Sequence, residues 1–172
     1  MKKLSFIYLF FILLLVCNVG NAQSKVYLGP GMGFDYGGLL GGKIEVLPIK
    51  QFGFFGGIGY NLLSVGWNVG TTCKISPDKR VSPNLMLFYG YNAVLKVEGA
   101  SALNKTSYGV TFGGNLDIKV GSKGNKISVG LFIPIRSKSF RDHYDAAKNS
   151  PYIEMKNDLL PIAVGVGYNI LL

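Results

Sequence analysis

The sequence predicts an all-β fold: an antiparallel up-and-down transmembrane β-barrel of about eight strands. This barrel is turned inside out, with an apolar outer face and a lumen lined by glycine and polar residues. Three observations lead to this prediction. Two-residue alternation recurs in about eight segments, no long stretch keeps a 3.6-residue period, and the less apolar face of the segments is rich in glycine.

The first four segments each set an apolar series against a series of glycine or polar residues. Residues 26–34 and 51–61 alternate bulky apolar residues mainly with glycine. Residues 39–47 set aliphatic residues against a lysine and a glutamate, and residues 65–75 set Val, Trp and Ile against Gly, Asn, Thr and Lys. Because successive side chains of a strand point to opposite faces, each segment has one apolar face.

The second four segments repeat the pattern over residues 85–97, 107–120, 127–136 and 161–172, and the last alternates Ile, Val, Tyr and Leu with small residues. The clearest alternation is that of residues 107–120. Its register predicts outward side chains at Val110, Phe112, Leu116 and Ile118, and inward side chains at Thr111, Asn115, Asp117 and Lys119.

The composition of the second face separates two interpretations of these strands. A soluble sandwich or lipocalin-like barrel needs a richly charged outer face, whereas this face is mostly Gly, Asn, Ser and Thr with scattered charges. Glycine suits the crowded lumen of a narrow barrel. We therefore expect the charges to pair inside the lumen, because isolated charges there are costly. The predicted network consists of Lys43, Glu45, Asp117, Lys119 and Arg136.

A barrel of about eight strands has an interior just wide enough for side chains. Phe55, Phe88 and Phe132 lie on the lumen face and are expected to fill it together with the charged pairs. Solute flux would then be negligible, and a small passive pore is the alternative hypothesis. Six aromatic residues are expected on the apolar face, namely Tyr60, Trp67, Tyr89, Tyr91, Tyr108 and Tyr168.

The links between the segments alternate in length, as expected for a membrane barrel with both termini on one side. The short links are residues 48–50, 76–80 and 121–125, and the long links are residues 98–106 and 137–157. The first and third links, near residues 35–38 and 61–64, are shorter than this rule favours. They are expected to leave the outer rim low on one side.

The amino-terminal residues predict export. Lys2 and Lys3 precede an apolar run, and Gly20-Asn21-Ala22 fits a small-x-small cleavage site. We expect residues 1–22 to be a cleaved signal peptide and residues 23–172 to form the barrel. Cys17 follows Val16 rather than a small residue, which argues against lipoprotein processing.

The end of the last segment carries glycine followed by hydrophobic residues at alternate positions, Gly167, Ile170 and Leu172. In this signal and in its strand pattern the chain resembles the small outer-membrane β-barrel family of Gram-negative bacteria, which includes OmpX-like and OmpA-transmembrane-like barrels. That family usually ends on an aromatic residue, where this chain has Leu172. The resemblance implies an outer-membrane location, contact with outer-membrane lipid and lipopolysaccharide, and recognition of these residues by the barrel-insertion machinery.

Some barrels of this size are lipid A deacylases or palmitoyl transferases, which use a histidine near a serine and a carboxylate. Here His143 is the only histidine, and Asp145 stands where the deacylase pattern has serine. We therefore expect no enzymatic activity, and a lipid-modifying enzyme is the second alternative hypothesis.

Residues 137–157 combine aromatic and basic side chains that could bind lipopolysaccharide phosphates or an envelope protein. The candidates are Phe140, Arg141, Tyr144, Lys148 and Tyr152. An ordinary solvated loop is the simpler interpretation of the same residues.

Charge and cysteine content exclude other classes of protein. The net charge of +9 falls to +7 once Lys2 and Lys3 leave with the signal peptide, and a basic exported protein facing anionic glycolipid needs no nucleic-acid partner. Cys73 remains as the one cysteine of the mature chain, so no intramolecular disulfide can form, and no metal-ligand spacing or cofactor motif occurs. We expect a non-enzymatic integral outer-membrane protein with an envelope-structural or surface-interaction role and no cofactor.

Overall fold

The computed structural model describes residues 24–97, 104–149 and 159–172. These residues form eight antiparallel strands in sequence order, and β8 pairs with β1 to close a barrel. The predicted up-and-down β-barrel is confirmed. The strands are β1 (Lys25–Gly33), β2 (Gly38–Ile49), β3 (Phe52–Tyr60), β4 (Val65–Lys74), β5 (Val81–Leu95), β6 (Lys105–Val120), β7 (Asn125–Pro134) and β8 (Ala163–Leu171).

We call the end of the barrel at which β1 begins and β8 ends the base, and the opposite end the top. Short turns join β2 to β3, β4 to β5 and β6 to β7 at the base. β5 and β6 are the longest strands, with 15 and 16 residues, and pair with each other far toward the top. The top therefore carries the larger elaborations of the barrel.

The two faces of β6 follow the predicted register. Leu116 is 46% exposed on the outside, whereas Asp117 is 3% exposed and Thr111 is fully buried inside. The same division holds around the barrel, since every strand has exposed large apolar side chains between inward glycine or polar residues. The barrel is thus apolar outside and polar inside.

β5 departs from strict alternation near the top. Gly90 has φ +151°, and the pairing with β6 shifts register between Tyr91 and Ala93. As a result Tyr91, Asn92 and Ala93 are all buried. The expectation that Tyr91 lies on the outer face is therefore wrong, because a bulge at this point turns its side chain inward.

The link after β7, which was expected to be a loop, contains a helix, α1 (Lys138–Lys148). The Ser137 side chain caps it by accepting a hydrogen bond from the backbone N–H of Phe140. Phe140, Tyr144 and Ala147 form its buried stripe, which packs on the apolar end of the β5–β6 hairpin. Within the described part of the chain, no helix is long and apolar enough to cross a membrane.

The link between β1 and β2 is as short as the sequence indicates, but it does not lie on the rim. It forms a 3₁₀ turn, Phe34–Tyr36, that folds into the lumen; we call these three residues the inner turn. Asp35 and Tyr36 are buried at 2% and 0% exposure. Gly33 and Gly37 flank the turn with φ +115° and +82°, conformations that favour glycine, and so let the chain enter and leave the lumen sharply.

Glycines on neighbouring strands make room for the inner turn. A Cβ atom at Gly31 or Gly57 would lie 2.5 Å from Tyr36 Cε1 or from the Asp35 carbonyl oxygen, and one at Gly59 would lie 2.6 Å from the Tyr36 carbonyl oxygen. Real side chains do not tolerate such distances. These glycines therefore leave the space in the lumen that the inner turn occupies.

Candidate functional site: the polar lumen

Four charged side chains form a buried cluster in the lumen near the base. Lys74 Nζ lies 2.5 Å from Asp117 Oδ2 and 3.2 Å from Glu45 Oε1. Lys126 Nζ lies 2.7 Å from the same Asp117 oxygen and also pairs with Glu45 Oε2. Each lysine contacts both carboxylates, so the cluster is electrically balanced. None of the four side chains is more than 6% exposed.

Hydrogen bonds extend the cluster upward to the inner turn. Asp117 Oδ1 accepts from Ser128 Oγ at 2.6 Å and from Asn115 Nδ2 at 3.1 Å. Asn169 Nδ2 donates to Ser128 Oγ at 3.1 Å and to Tyr36 Oη at 3.0 Å. These bonds pair the buried side chains of Asn115, Asp117, Ser128 and Asn169 and tie β6, β7 and β8 to the turn inserted from β1. Buried polar groups in a closed lumen are stable only when they are paired in this way.

The inner turn brings a second ion pair with it. Lys43 Nζ lies 2.5 Å from Asp35 Oδ2, and both side chains are 3% exposed. The same ammonium group lies 4.3 Å from the centre of the Tyr36 ring, in cation–π contact. This pair also carries no net charge, so the two sets of buried ions leave the lumen neutral.

Aromatic side chains fill the lumen beside the ions, as the sequence predicts. Phe55, Phe88 and Phe132 are buried together with Met86. The Phe88 ring meets the other two edge-to-face, with centroids 5.6 Å from Phe55 and 5.3 Å from Phe132. This geometry is the favourable one for aromatic pairs. The ions, the inner turn and this cluster together obstruct the barrel along much of its length.

The structure brings three of the five predicted network residues into buried ion pairs, namely Lys43, Glu45 and Asp117. The expectation is wrong for the other two, which form no ion pair with any described residue. Lys119 lies nearer the base and donates to the Pro77 carbonyl at 2.7 Å. Arg136 lies beyond the top of β7 and donates to the Leu160 carbonyl at 2.6 Å.

Sequence reasoning missed three members of the ion pairs, Asp35, Lys74 and Lys126. Alternation placed Lys74 on the lumen face but did not select it. Lys126 precedes Ser128 by two positions and so shares its inward face. Asp35 carried no strand signal, because it lies in the inner turn.

The outer-loop candidates divide into two groups. Phe140 and Tyr144 are buried beneath α1 and are therefore packing residues rather than a binding surface. Arg141 and Lys148 are exposed on the same helix, and Tyr152 lies outside the described residues. His143 is partly exposed on α1.

The residues of the expected insertion signal occupy the last strand and its end. Ile170 and Leu172 are exposed on the outer face. Gly167 faces inward, where a Cβ atom would collide with the Tyr36 hydroxyl. This glycine therefore has a packing role inside the barrel, in addition to any role in recognition.

Within the described ranges, no group of three or more His, Cys, Asp or Glu side chains is arranged to hold a metal ion. Comparison with family models, with curated proteins and with solved structures gave no match to this chain. The features that bear on function are therefore those of the barrel itself: its apolar outside, its neutral filled lumen and its two ends.

Proposed function

We propose that this chain is an integral outer-membrane protein whose barrel is a non-enzymatic scaffold for envelope structure or surface interaction. The observation that carries the proposal is the apolar outer surface. Exposed large apolar side chains occur on all eight strands and continue around the whole barrel. Soluble monomers rarely expose contiguous apolar patches beyond a few hundred Å², whereas a lipid bilayer covers such a surface completely.

The filled lumen supports a scaffold rather than a pore. Buried ion pairs near the base and the inner turn above them leave little space for hydrated solutes. In the proposed orientation the base faces the periplasm, and α1 with the β5–β6 hairpin faces outward, where the exposed helix surface that includes Arg141 meets anionic glycolipid or an envelope protein. A planar-bilayer recording of the purified protein is expected to show no stable large openings.

A matched pair of lysine substitutions tests membrane embedding. Val129 lies mid-strand on the outer face of β7 and is 42% exposed, and Ser122 is exposed in the turn between β6 and β7. In lipid vesicles Val129→Lys is expected to destabilise the folded barrel by about 2–4 kcal/mol, because a charge then lies in hydrocarbon. Ser122→Lys is expected to leave stability unchanged.

Urea unfolding in vesicles measures both variants, and the unchanged protein is followed through membrane fractionation. The proposal predicts that the protein stays with the outer-membrane fraction after an alkaline wash. A Val129→Lys variant as stable as Ser122→Lys and soluble without detergent would show instead that the outer face is not in lipid.

Lipid A mass spectra from cells with and without the gene are expected to be identical, and an altered acyl pattern would indicate an enzyme.

A further inference from the structure

The base of the barrel opens into a pocket with a strongly basic lining. Its wall includes Lys25, Lys50 and Lys119, and its floor is formed by Lys74 and Lys126 of the buried cluster. Two carboxylates, Asp78 and Asp117, also line it. Five lysines thus line one concavity, and they come from β1, the β2–β3 turn, β4, β6 and β7.

The carboxylates compensate only one of the three wall lysines, Lys50. Asp117 is shared by the two floor lysines at 2.5 and 2.7 Å. Asp78 Oδ1 lies 3.1 Å from Lys50 Nζ in an exposed pair. Lys25 and Lys119 form no ion pair with any residue in the described part of the chain. Their charges are therefore left uncompensated at the mouth.

Lys119 is held in place over the pocket. Its Nζ donates to the Pro77 carbonyl at 2.7 Å, which fixes the ammonium group and leaves its other two protons available. Pro77 itself lines the pocket. A positioned cation at the mouth of a concave basic site gives up less side-chain entropy on binding an anion than a freely rotating one does.

We propose that this pocket binds a phosphate group. Like charges brought together repel one another, and an anion seated among them removes that repulsion. Lysines bind phosphate as point charges and so accommodate its tetrahedral geometry without a planar fork. The phosphate belongs either to the free ion or to a phospholipid headgroup at the membrane surface. The pocket and its binding of free phosphate rest on the barrel fold alone, whereas the lipid-headgroup source also rests on the proposed function.

Inorganic phosphate is the first probe. The full chain is folded in an alkyl maltoside, which carries no phosphate, and titrated calorimetrically at low ionic strength. Saturable binding at one site per chain is expected, and sulfate is expected to compete. An absence of saturable binding to the native protein would overturn the proposal.

Two double variants with the same charge change locate the site. Lys25→Gln with Lys119→Gln removes the uncompensated wall charges and is expected to weaken phosphate binding at least about tenfold. Lys79→Gln with Lys123→Gln removes two exposed charges of the same end that do not line the pocket, and is expected to change affinity less than about twofold. Equal weakening in both would mean that general rim charge attracts the ion, and would refute a defined site.

Gel mobility and circular dichroism establish that each double variant is folded, and the single Lys25→Gln variant gives the same comparison if the double variant fails to fold. Short-chain phosphatidylglycerol and phosphatidylcholine then distinguish the two sources. Competition by the anionic lipid with bound phosphate, and none by the zwitterionic lipid, assigns a lipid headgroup. Lack of competition by both assigns the free ion.

Discussion

The most informative perturbation of the lumen is Asp117→Asn, which removes one negative charge and keeps the shape of the side chain. In the native barrel Asp117 accepts hydrogen bonds from Lys74 and Lys126 through one oxygen, and from Ser128 and Asn115 through the other. After the substitution the two lysines share only Glu45. One buried positive charge is then uncompensated.

The size of the effect follows from burial. The side chains of Asp117, Lys74 and Lys126 are 4–6% exposed, so solvent screens the lost interactions only weakly. Removing one partner of such a buried pair costs about 3–5 kcal/mol. With a urea dependence of about 2 kcal/mol per molar, the unfolding midpoint is expected to fall by roughly 1.5–2.5 M.

The matched control is Asp145→Asn, which makes the same chemical change at an exposed position of α1. Exposed ion pairs contribute about 0–1 kcal/mol, so its midpoint is expected to move by less than about 0.5 M. Both variants are unfolded in urea from the detergent-folded state and followed by circular dichroism. Equal midpoints for the two variants would refute the account of the lumen as an enclosed, charge-balanced network.

A second substitution tests whether the loss of stability comes from the lost charge balance or from the changed hydrogen-bond geometry. Adding Lys126→Met to Asp117→Asn leaves Lys74 and Glu45 as a balanced pair at 3.2 Å. The double variant is therefore expected to be more stable than Asp117→Asn alone, because the uncompensated charge is gone. Additive losses would mean that hydrogen-bond geometry, rather than charge balance, determines stability at this site.

Two further predictions concern the inner turn and the register of β6. Gly31→Val is expected to lower the urea midpoint, because a Cβ atom would lie 2.5 Å from Tyr36 Cε1; adding Tyr36→Ala should recover part of the loss, and an unchanged penalty would place the collision elsewhere. In a chain carrying Cys73→Ser, Leu116→Cys in vesicles is expected to react with a lipid-soluble maleimide and Asn115→Cys is not, since these neighbours lie on opposite faces. The reverse labelling would show that the register is shifted by one residue.

The strands and their faces could be predicted because a period of two is a local property. In residues 107–120, whether a position is odd or even predicts the face of the strand on which its side chain lies, and the structure agrees with that prediction. The position of a residue along the barrel axis cannot be predicted from this alternation, because it depends on how neighbouring strands are staggered. Lys119 shares the face of Asp117 but lies closer to the base, where its neighbour is a turn carbonyl rather than a carboxylate.

Two elements, α1 and the inner turn, were not predicted from local sequence patterns. Phe140, Tyr144 and Ala147 have helical spacing, so the sequence did contain a signal for α1, but one short stripe is weak evidence inside a long link. The inner turn had no comparable signal. A short link with flanking glycines looks like an ordinary tight turn, and the space for it is created by glycines on other strands, such as Gly59.

The hydrogen bond between Tyr36 and Asn169 joins residues 133 positions apart, the first near the start of the barrel and the second near its end. It can form only when β8 lies beside β1, as it does in the closed barrel. Closing so long a stretch of chain is entropically costly, and the contacts of the inner turn repay that cost only in the complete barrel. The inner turn has its full set of contacts only in the closed barrel, so closure of the barrel and seating of the turn are expected to occur together.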